Sequence, residues 1–283
     1  MNNRCLAAVV LYQPEWEDFC QNLKTYPDGV DAILVVANSL LMPIQKDYLE
    51  GQGMVVVQNT ENAGVARALN QAAQYAIQHG FNWLLTMDQD SAFGPTKPHA
   101  LSQAMHLAPP KTAAIGVESL RAPEAVPRFV VVPFLLQSGT LFSLPVWSKV
   151  GPFKEALFID AVDHEYCLRA RKAGYTVFQY PSIPLFHQLG QTYALPRWLF
   201  VFHRHPKVGI SYHSPAREQF IFRNNAWLIR QYFWTFPKWA FKRIGYLALR
   251  MAYALFLLPE KGTRLKNIFR GLHASYRFRD GKE

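Results

Sequence analysis

Three observations predict an α/β fold with a mainly parallel central sheet covered by helices on both faces. Short apolar runs alternate with segments of helical period through the first ninety residues. Those runs are apolar at every position rather than at every second one, the mark of strands buried on both sides. And 283 residues, 50% hydrophobic and 18% charged, suffice for one large core with a helical appendage.

The elements follow in order. Residues 6–11 form the first apolar run, and 16–26 follow with helical spacing. Residues 32–36 are the second strand and 54–57 the third, with Pro43 between them as a first-turn proline. Residues 64–79 read as a long helix, with Val65, Ala68, Leu69, Ala72, Ala73 and Ala76 on one side and Gly80 ending it. Residues 83–87 are the fourth strand. Further on, 113–117 and 129–136 read as strands joined by a loop containing Pro123 and Pro127. Residues 162–173 form a helix closed by Gly174, and 175–180 another strand. Beyond residue 190 the pattern changes to three aromatic, basic helices over 217–232, 237–258 and 264–275.

Charge divides the chain. The net is +10, yet residues 1–189 carry 13 Lys and Arg against 16 Asp and Glu, and residues 190–283 carry 17 against 4. A slightly acidic body with a basic tail points to an anionic partner for the tail. Three cysteines exclude a disulfide scaffold and point to a reducing compartment. The apolar run near the N-terminus is shorter than a signal-peptide core and reads as a strand. Residues 244–258, interrupted by Arg250, are too short and too charged for a membrane span. They read either as an in-plane helix flanked by Lys238, Lys242, Arg243, Lys261, Arg264 and Lys266, or as a core helix with a basic outer face.

In a parallel sheet ligands bind beyond the carboxyl ends of the strands, which directs attention to Asp88-Gln89-Asp90. Two carboxylates at a strand end can share a hard divalent cation with substrate phosphates, although a solvated turn also explains them. Asp160, Asp163 and Glu165 open a predicted helix. Capping and the helix dipole account for one or two of the three, and a general base for another. Asn62 suits a helix cap, and Gly64 and Ala66 leave room for an anion at that helix start, with Asn70 on the same face. Gln137-Ser138-Gly139-Thr140 is a small polar break, either a ligand approach or a tight turn. His187 follows a strand, as a packed histidine or a metal ligand.

The order of these pieces is more specific than any one of them. Leu11-Tyr12-Gln13-Pro14, Asn62-x-Gly64-x-Ala66-x-x-x-Asn70, Asp88-x-Asp90, Ser138-Gly139, Asp160-x-x-Asp163-x-Glu165-x-x-x-Arg169, Gly174 and His187 together resemble the family 2 glycosyltransferases. Within them the chain is similar to the bacterial rhamnosyltransferases, through residues 137–143, residues 212–217 and Arg223-Asn224. It departs from the family pattern in the single Asn38 after the second strand and in Gln13 before Pro14. The resemblance implies a GT-A fold over residues 1–190, with nucleotide-sugar binding over about 1–92 and the acceptor half over about 93–190, followed by a basic, membrane-proximal helical region over 191–283. It implies an inverting hexosyl transfer from a nucleotide sugar, dTDP-L-rhamnose, assisted by Mg²⁺ or Mn²⁺. By motif, Tyr12, Pro14, Asn38, Asn62, Gly64, Arg67, Asn70, Asp88, Ser138 and Gly139 would contact the donor. Asp88, Asp90 and His187 would hold the metal, and Asp163 would be the base, with Glu165 and Asp160 as the other choices. Arg169 would orient that cluster, or simply pair with Glu165 one turn away. The implied acceptor is a surface-glycan or lipid-linked saccharide, and the implied location is cytoplasmic, peripheral on an anionic membrane face.

Two other classes compete. A nucleotidyltransferase also uses carboxylates and Mg²⁺, but its phosphate loop would be glycine-rich and basic, whereas the loop here is Tyr12-Gln13-Pro14-Glu15. A nucleic-acid binder would use the basic aromatic tail, yet those aromatics are mixed with Leu and Ile, as in a core or a membrane face.

Overall fold

A computed structural model of the chain describes residues 3–95, 99–119, 128–187, 192–194 and 209–278. The loop expected around Pro123 and Pro127 lies outside these residues. The chain divides into two compact units, Met1–His187 and Gln188–Glu283.

The first unit is built on one sheet. Strands β1 (Cys5–Leu11), β2 (Ala32–Ala37), β3 (Val55–Gln58) and β4 (Trp83–Asp88) run parallel in the order β3-β2-β1-β4. Every residue of β1 is buried, as the continuous apolar run requires of a strand covered on both faces. Helices α1 (Trp16–Leu23), α2 (Pro43–Gly51) and α3 (Gly64–Gln78) are the crossovers, and Pro43 occupies the first turn of α2. All four strands end on one edge, so the segments after Leu11, Ala37, Gln58 and Asp88 lie side by side there.

The other half mixes directions. After β5 (Ser91–Phe93) and α4 (Ala100–His106) come β6 (Thr112–Ser119), β7 (Val130–Val131), β8 (Thr140–Ser143), α5 (Leu144–Val150), α6 (Val162–Lys172) and β9 (Thr176–His187). Strand β8 inserts antiparallel between β4 and β6, and β9 runs parallel to β6.

Three expectations change here. Residues 129–136 were expected as one strand, but only Val130 and Val131 pair, and both are exposed. Pro133 has no N–H to offer a ladder. Residues 140–150 carry a strand and a helix that the sequence did not mark, because four residues buried on both faces show no periodicity. The last strand continues past Tyr180 to His187. Its Pro181 sits in a bulge, where Gly116 pairs Gln179 but Glu118 pairs Ile183, and Pro184 pairs Ser119 beyond it.

In the second unit a two-stranded ribbon, β10 (Thr192–Ala194) with β11 (Gly209–Ser211), precedes α7 (Pro215–Tyr232), α8 (Pro237–Phe256) and α9 (Lys261–Arg277). Helices α7 and α9 pack tightly, with Gly271 set against the α7 backbone at Gln219. Ile221, Phe222, Leu247, Ala254 and Ile268 form the core of this unit. Among the described residues, no helix is long and apolar enough to cross a membrane.

Candidate active site

The site grows from the carboxyl edge of the parallel strands. Asp88 closes β4, and the turn Gln89-Asp90 leads into β5. Gln89 holds this turn to the loop after β1. Its Oε1 accepts from the Tyr12 N–H at 2.8 Å, and its Nε2 donates to the Tyr12 carbonyl at 3.2 Å. Asn22 on α1 donates to the Gln89 carbonyl at 3.1 Å. Gln13 takes a left-handed backbone (φ 46°), and its N–H donates to the Ser39 hydroxyl at 2.8 Å. Three loops from three strands are thereby joined, leaving Tyr12 exposed and Pro14 half-buried at the rim. The sequence marked Asp88 and Asp90 here but not Gln89, whose side chain does the joining.

Residues 137–139 carry the link to the second carboxylate cluster. The Ser138 hydroxyl accepts from the Asp88 N–H at 3.2 Å and donates to the Ser91 hydroxyl at 2.8 Å. Gly139, with φ 72°, donates its N–H to the Thr86 carbonyl at 3.0 Å. Gln137 reaches both carboxylates: its side-chain Nε2 donates to Asp88 Oδ1 at 2.9 Å, and its backbone N–H to Asp163 Oδ2 at 3.0 Å. The other oxygen of Asp163 accepts from the His164 N–H at 2.7 Å. Asp88 and Asp163, 75 positions apart in sequence, are thus bridged by Gln137, which the sequence placed only at the head of a small polar break.

The far strand returns to the same place. Strand β5 begins three residues after Asp88 and pairs antiparallel with the end of β9, with Ser91 opposite His187. Three residues span at most about 11 Å, so β9 must curl back toward the β4 terminus. The His187 backbone therefore lies one pairing from the neighbour of Asp90.

Asp163 is presented by strained backbone. Phe158, Asp160 and Ala161 have φ of 65°, 63° and 64°, a region that non-glycine residues avoid at a cost of about 1–3 kcal/mol each. Helix α3 helps to hold them. The Phe158 carbonyl accepts from the Val65 and Ala66 N–H groups at 2.7 and 3.3 Å, and the Phe158 ring covers Gly64. The N-terminal donors of α3, expected to meet an anion, are thus occupied by the carboxylate loop itself. The N-cap itself is Ala63, and Asn62 just before it satisfies the first helical donor, its Oδ1 accepting from the Gly64 N–H at 3.0 Å. A Cβ on Gly64 would stand 2.5 Å from the Phe158 ring and 2.8 Å from its carbonyl oxygen, at φ 79°. Gly64→Ala is therefore expected to cost about 2 kcal/mol or more, which chemical denaturation would read as a lower midpoint at unchanged slope.

Several expected donor contacts lie elsewhere. Asn70 is 3% exposed. Its Nδ2 donates to the Phe153 carbonyl and to Glu155, and its Oδ1 accepts from the Phe153 N–H, so it pins the segment before the strained loop. Asn38 is equally buried, donating to the Gly64 carbonyl and accepting from Asn59. Both act as internal braces instead. Arg67 is exposed on α3.

Glu165, one of the other choices of base, sits in a different setting from Asp163. It is 0% exposed, and both oxygens accept from Arg169 at 2.9 Å. Arg169 goes on to donate to the carbonyls of Val150, Gly151 and Pro152. Arg169 thereby ties Glu165 to the loop of residues 150–152. Nor is a thiol nucleophile on offer in this unit's core: burial pushes the Cys167 thiol up to about 12, and Cys5 higher still.

The donor set fits a hard divalent cation. Among the described residues no three His, Cys, Asp or Glu side chains stand together. A cation at Asp88 and Asp90 would complete its shell with diphosphate oxygens and water, the usual manner of Mg²⁺.

This architecture is the GT-A fold of glycosyltransferases. The crystal structure of GalNAc-T7 with UDP, GalNAc and Mn²⁺ matches with a TM-score of 0.53 at 11% identity, over 65% of this chain and 43% of that one. The chain thus spans less than half the length of that enzyme. TarS of S. aureus in complex with UDP-GlcNAc gives a TM-score of 0.49 at 11% identity, over 97% of this chain and 73% of that one. In sequence the chain is similar to the dTDP-rhamnosyl transferase RfbF of Shigella flexneri, 26% identical over 251 residues, or 82% of this chain and 81% of the relative. No family profile matches the chain.

Proposed function

We propose that the chain is an inverting glycosyltransferase that moves L-rhamnose from dTDP-L-rhamnose to a hydroxyl of a surface-glycan or lipid-linked saccharide on the cytoplasmic side of the membrane. The observation that carries the reading is the Gln137 bridge between Asp88 and Asp163. It sets a carboxylate suited to a donor diphosphate beside a carboxylate suited to an acceptor hydroxyl. The similarity to a dTDP-rhamnosyl transferase supports the choice of sugar.

In this reading the loop after β1, held by Gln89, receives the nucleotide against Tyr12 and Pro14, and Ser138 and Gly139 close the floor beside the sugar. Asp88 and Asp90, with His187 as a further ligand, would hold Mg²⁺ or Mn²⁺, which supplies charge neutralisation at the diphosphate. Asp163 takes the proton of the acceptor hydroxyl. The hydroxyl oxygen forms its bond to the anomeric carbon as the bond to the diphosphate oxygen breaks. The electron pair leaves with dTDP and the configuration inverts. Asp160, in its strained turn, shapes the approach to Asp163.

The test is nucleoside diphosphate release from a panel of activated sugars, with Mg²⁺, Mn²⁺ or chelator. Release is expected from dTDP-L-rhamnose, slow without acceptor. It is expected to disappear with chelator and to fall by about a hundredfold in Asp90→Asn. Equal release from every sugar would overturn the donor assignment. No donor binding by calorimetry would overturn the class.

A further inference from the structure

Helix α8 is apolar on both faces. Trp239, Ala240, Leu247 and Ala254 are buried on its inner side, and two of its arginines also face inward. Arg250 donates to Glu218 of α7 at 2.8 and 3.0 Å, and Arg243 donates to Asn225 of α7. Glu218 and Asn225 are both buried. Its outward face is apolar: Phe241, Ile244, Leu249, Leu255 and Phe256 are exposed at the spacing of one helical stripe, and Trp234, just before the helix, is 89% exposed. Helices at a water-facing surface carry the opposite pattern, and a contiguous exposed apolar stripe marks a contact.

Charge selects the partner. No residue of α8 is acidic, and Lys238 and Lys242 are exposed on its first turns. A second copy of this chain would set one basic unit, with 17 Lys and Arg against 4 Asp and Glu over residues 190–283, against another. An anionic bilayer accepts both features at once, with side chains entering the acyl boundary and lysines meeting the headgroups. A helix of 20 residues is about 30 Å long and lies along such a surface, and the aromatic rings at its two ends suit the interface.

We propose that the outward stripe of α8 is a membrane-docking surface for anionic phospholipid, lying in the plane of the bilayer interface. The proposal does not rest on the sugar-transfer reading, and its test uses no activity.

The full chain would be sedimented with vesicles of phosphatidylcholine alone and of phosphatidylcholine with an equal part of phosphatidylglycerol, beside Phe241→Ser/Leu249→Ser and Lys238→Glu/Lys242→Glu. All four positions are exposed, so the fold is expected to persist, which circular dichroism would check. Binding is expected only to the anionic vesicles, weakened at least about tenfold in each double variant and by added salt. No binding to anionic vesicles, or unchanged binding in the serine variant, would overturn the proposal. So would a dimer in light scattering that the serine variant dissolves, because the stripe would then belong to a second copy.

Discussion

Asp163→Asn is expected to lower the turnover number of sugar transfer by about 10²–10⁴-fold, with the KM for the nucleotide sugar changed little. The split follows from position. Asp163 is tied to the backbone of Gln137, whereas the loop expected to receive the nucleotide is tied to Gln89, and the Gln137 side chain that reaches Asp88 is not bonded to Asp163. Asparagine keeps the size of the side chain but removes the proton-accepting carboxylate. It also turns an amide N–H₂ toward one of the two backbone N–H groups that Asp163 now satisfies. A thermal melt must therefore accompany the kinetics. A folded Asp163→Asn enzyme with near-normal turnover would remove Asp163 as the base and leave Asp160, since Glu165 is buried against Arg169. The same experiment on Glu165→Gln should show the reverse pattern: a lower melting temperature, with turnover reduced only as far as folding fails.

Glu218→Ala is expected to have the largest effect on stability, a loss of about 3–5 kcal/mol from the second unit. Glu218 is 0% exposed and accepts from Arg250 twice and from Arg264 once, at 2.8, 3.0 and 3.2 Å. Arg264 is itself buried and also donates to the carbonyls of Pro259 and His213. Removing the one acid leaves two guanidinium groups facing each other in a protein interior, which is far costlier than losing an exposed pair. Lys46 and Glu50 on α2, at 3.7 Å and half exposed, provide the comparison. Glu50→Ala is expected to change stability by no more than about 0.5 kcal/mol. Urea denaturation followed by tryptophan fluorescence would separate the outcomes, because Trp227 and Trp239 are buried in this unit. A Glu218→Ala protein with an unchanged midpoint would mean that water reaches and screens the arginines.

Much of the fold was legible because its signal is local. A run such as Leu6 to Leu11, apolar at every position, can be buried only between two layers, and it is. The helix from Gly64 was legible from its alanine-rich stripe, and Pro43 and Gly80 marked an entry and an exit that the structure keeps. The errors fall where local signal is weak or ambiguous. Strand β8 is four residues long, too short to show a period. The last strand was expected to end at Tyr180, yet it runs on through a bulge to His187.

At the candidate site the sequence by itself determined the inventory: carboxylates at the end of β4, a second acidic cluster at the start of α6, and a helix start preceded by Asn62, with room beside it. Tertiary structure decided which of these face one another. Asp163 and Glu165 are two residues apart on one helix. One of them reaches Gln137 and the other reaches Arg169, and that difference depends on how far α6 is rotated against residues 137 and 150–152. The start of α3 looked like an anion site until Phe158, 94 positions from Gly64, supplied the acceptor for its donors. Likewise, the sequence left α8 as either an in-plane helix or a core helix with a basic outer face, and it could not assign Arg250 and Arg243 to Glu218 and Asn225 of α7. Hydrophobic period and turn chemistry act over a few residues and are written in the chain. Hydrogen bonds to buried partners are made across tens of residues, and only the packed structure assigns them.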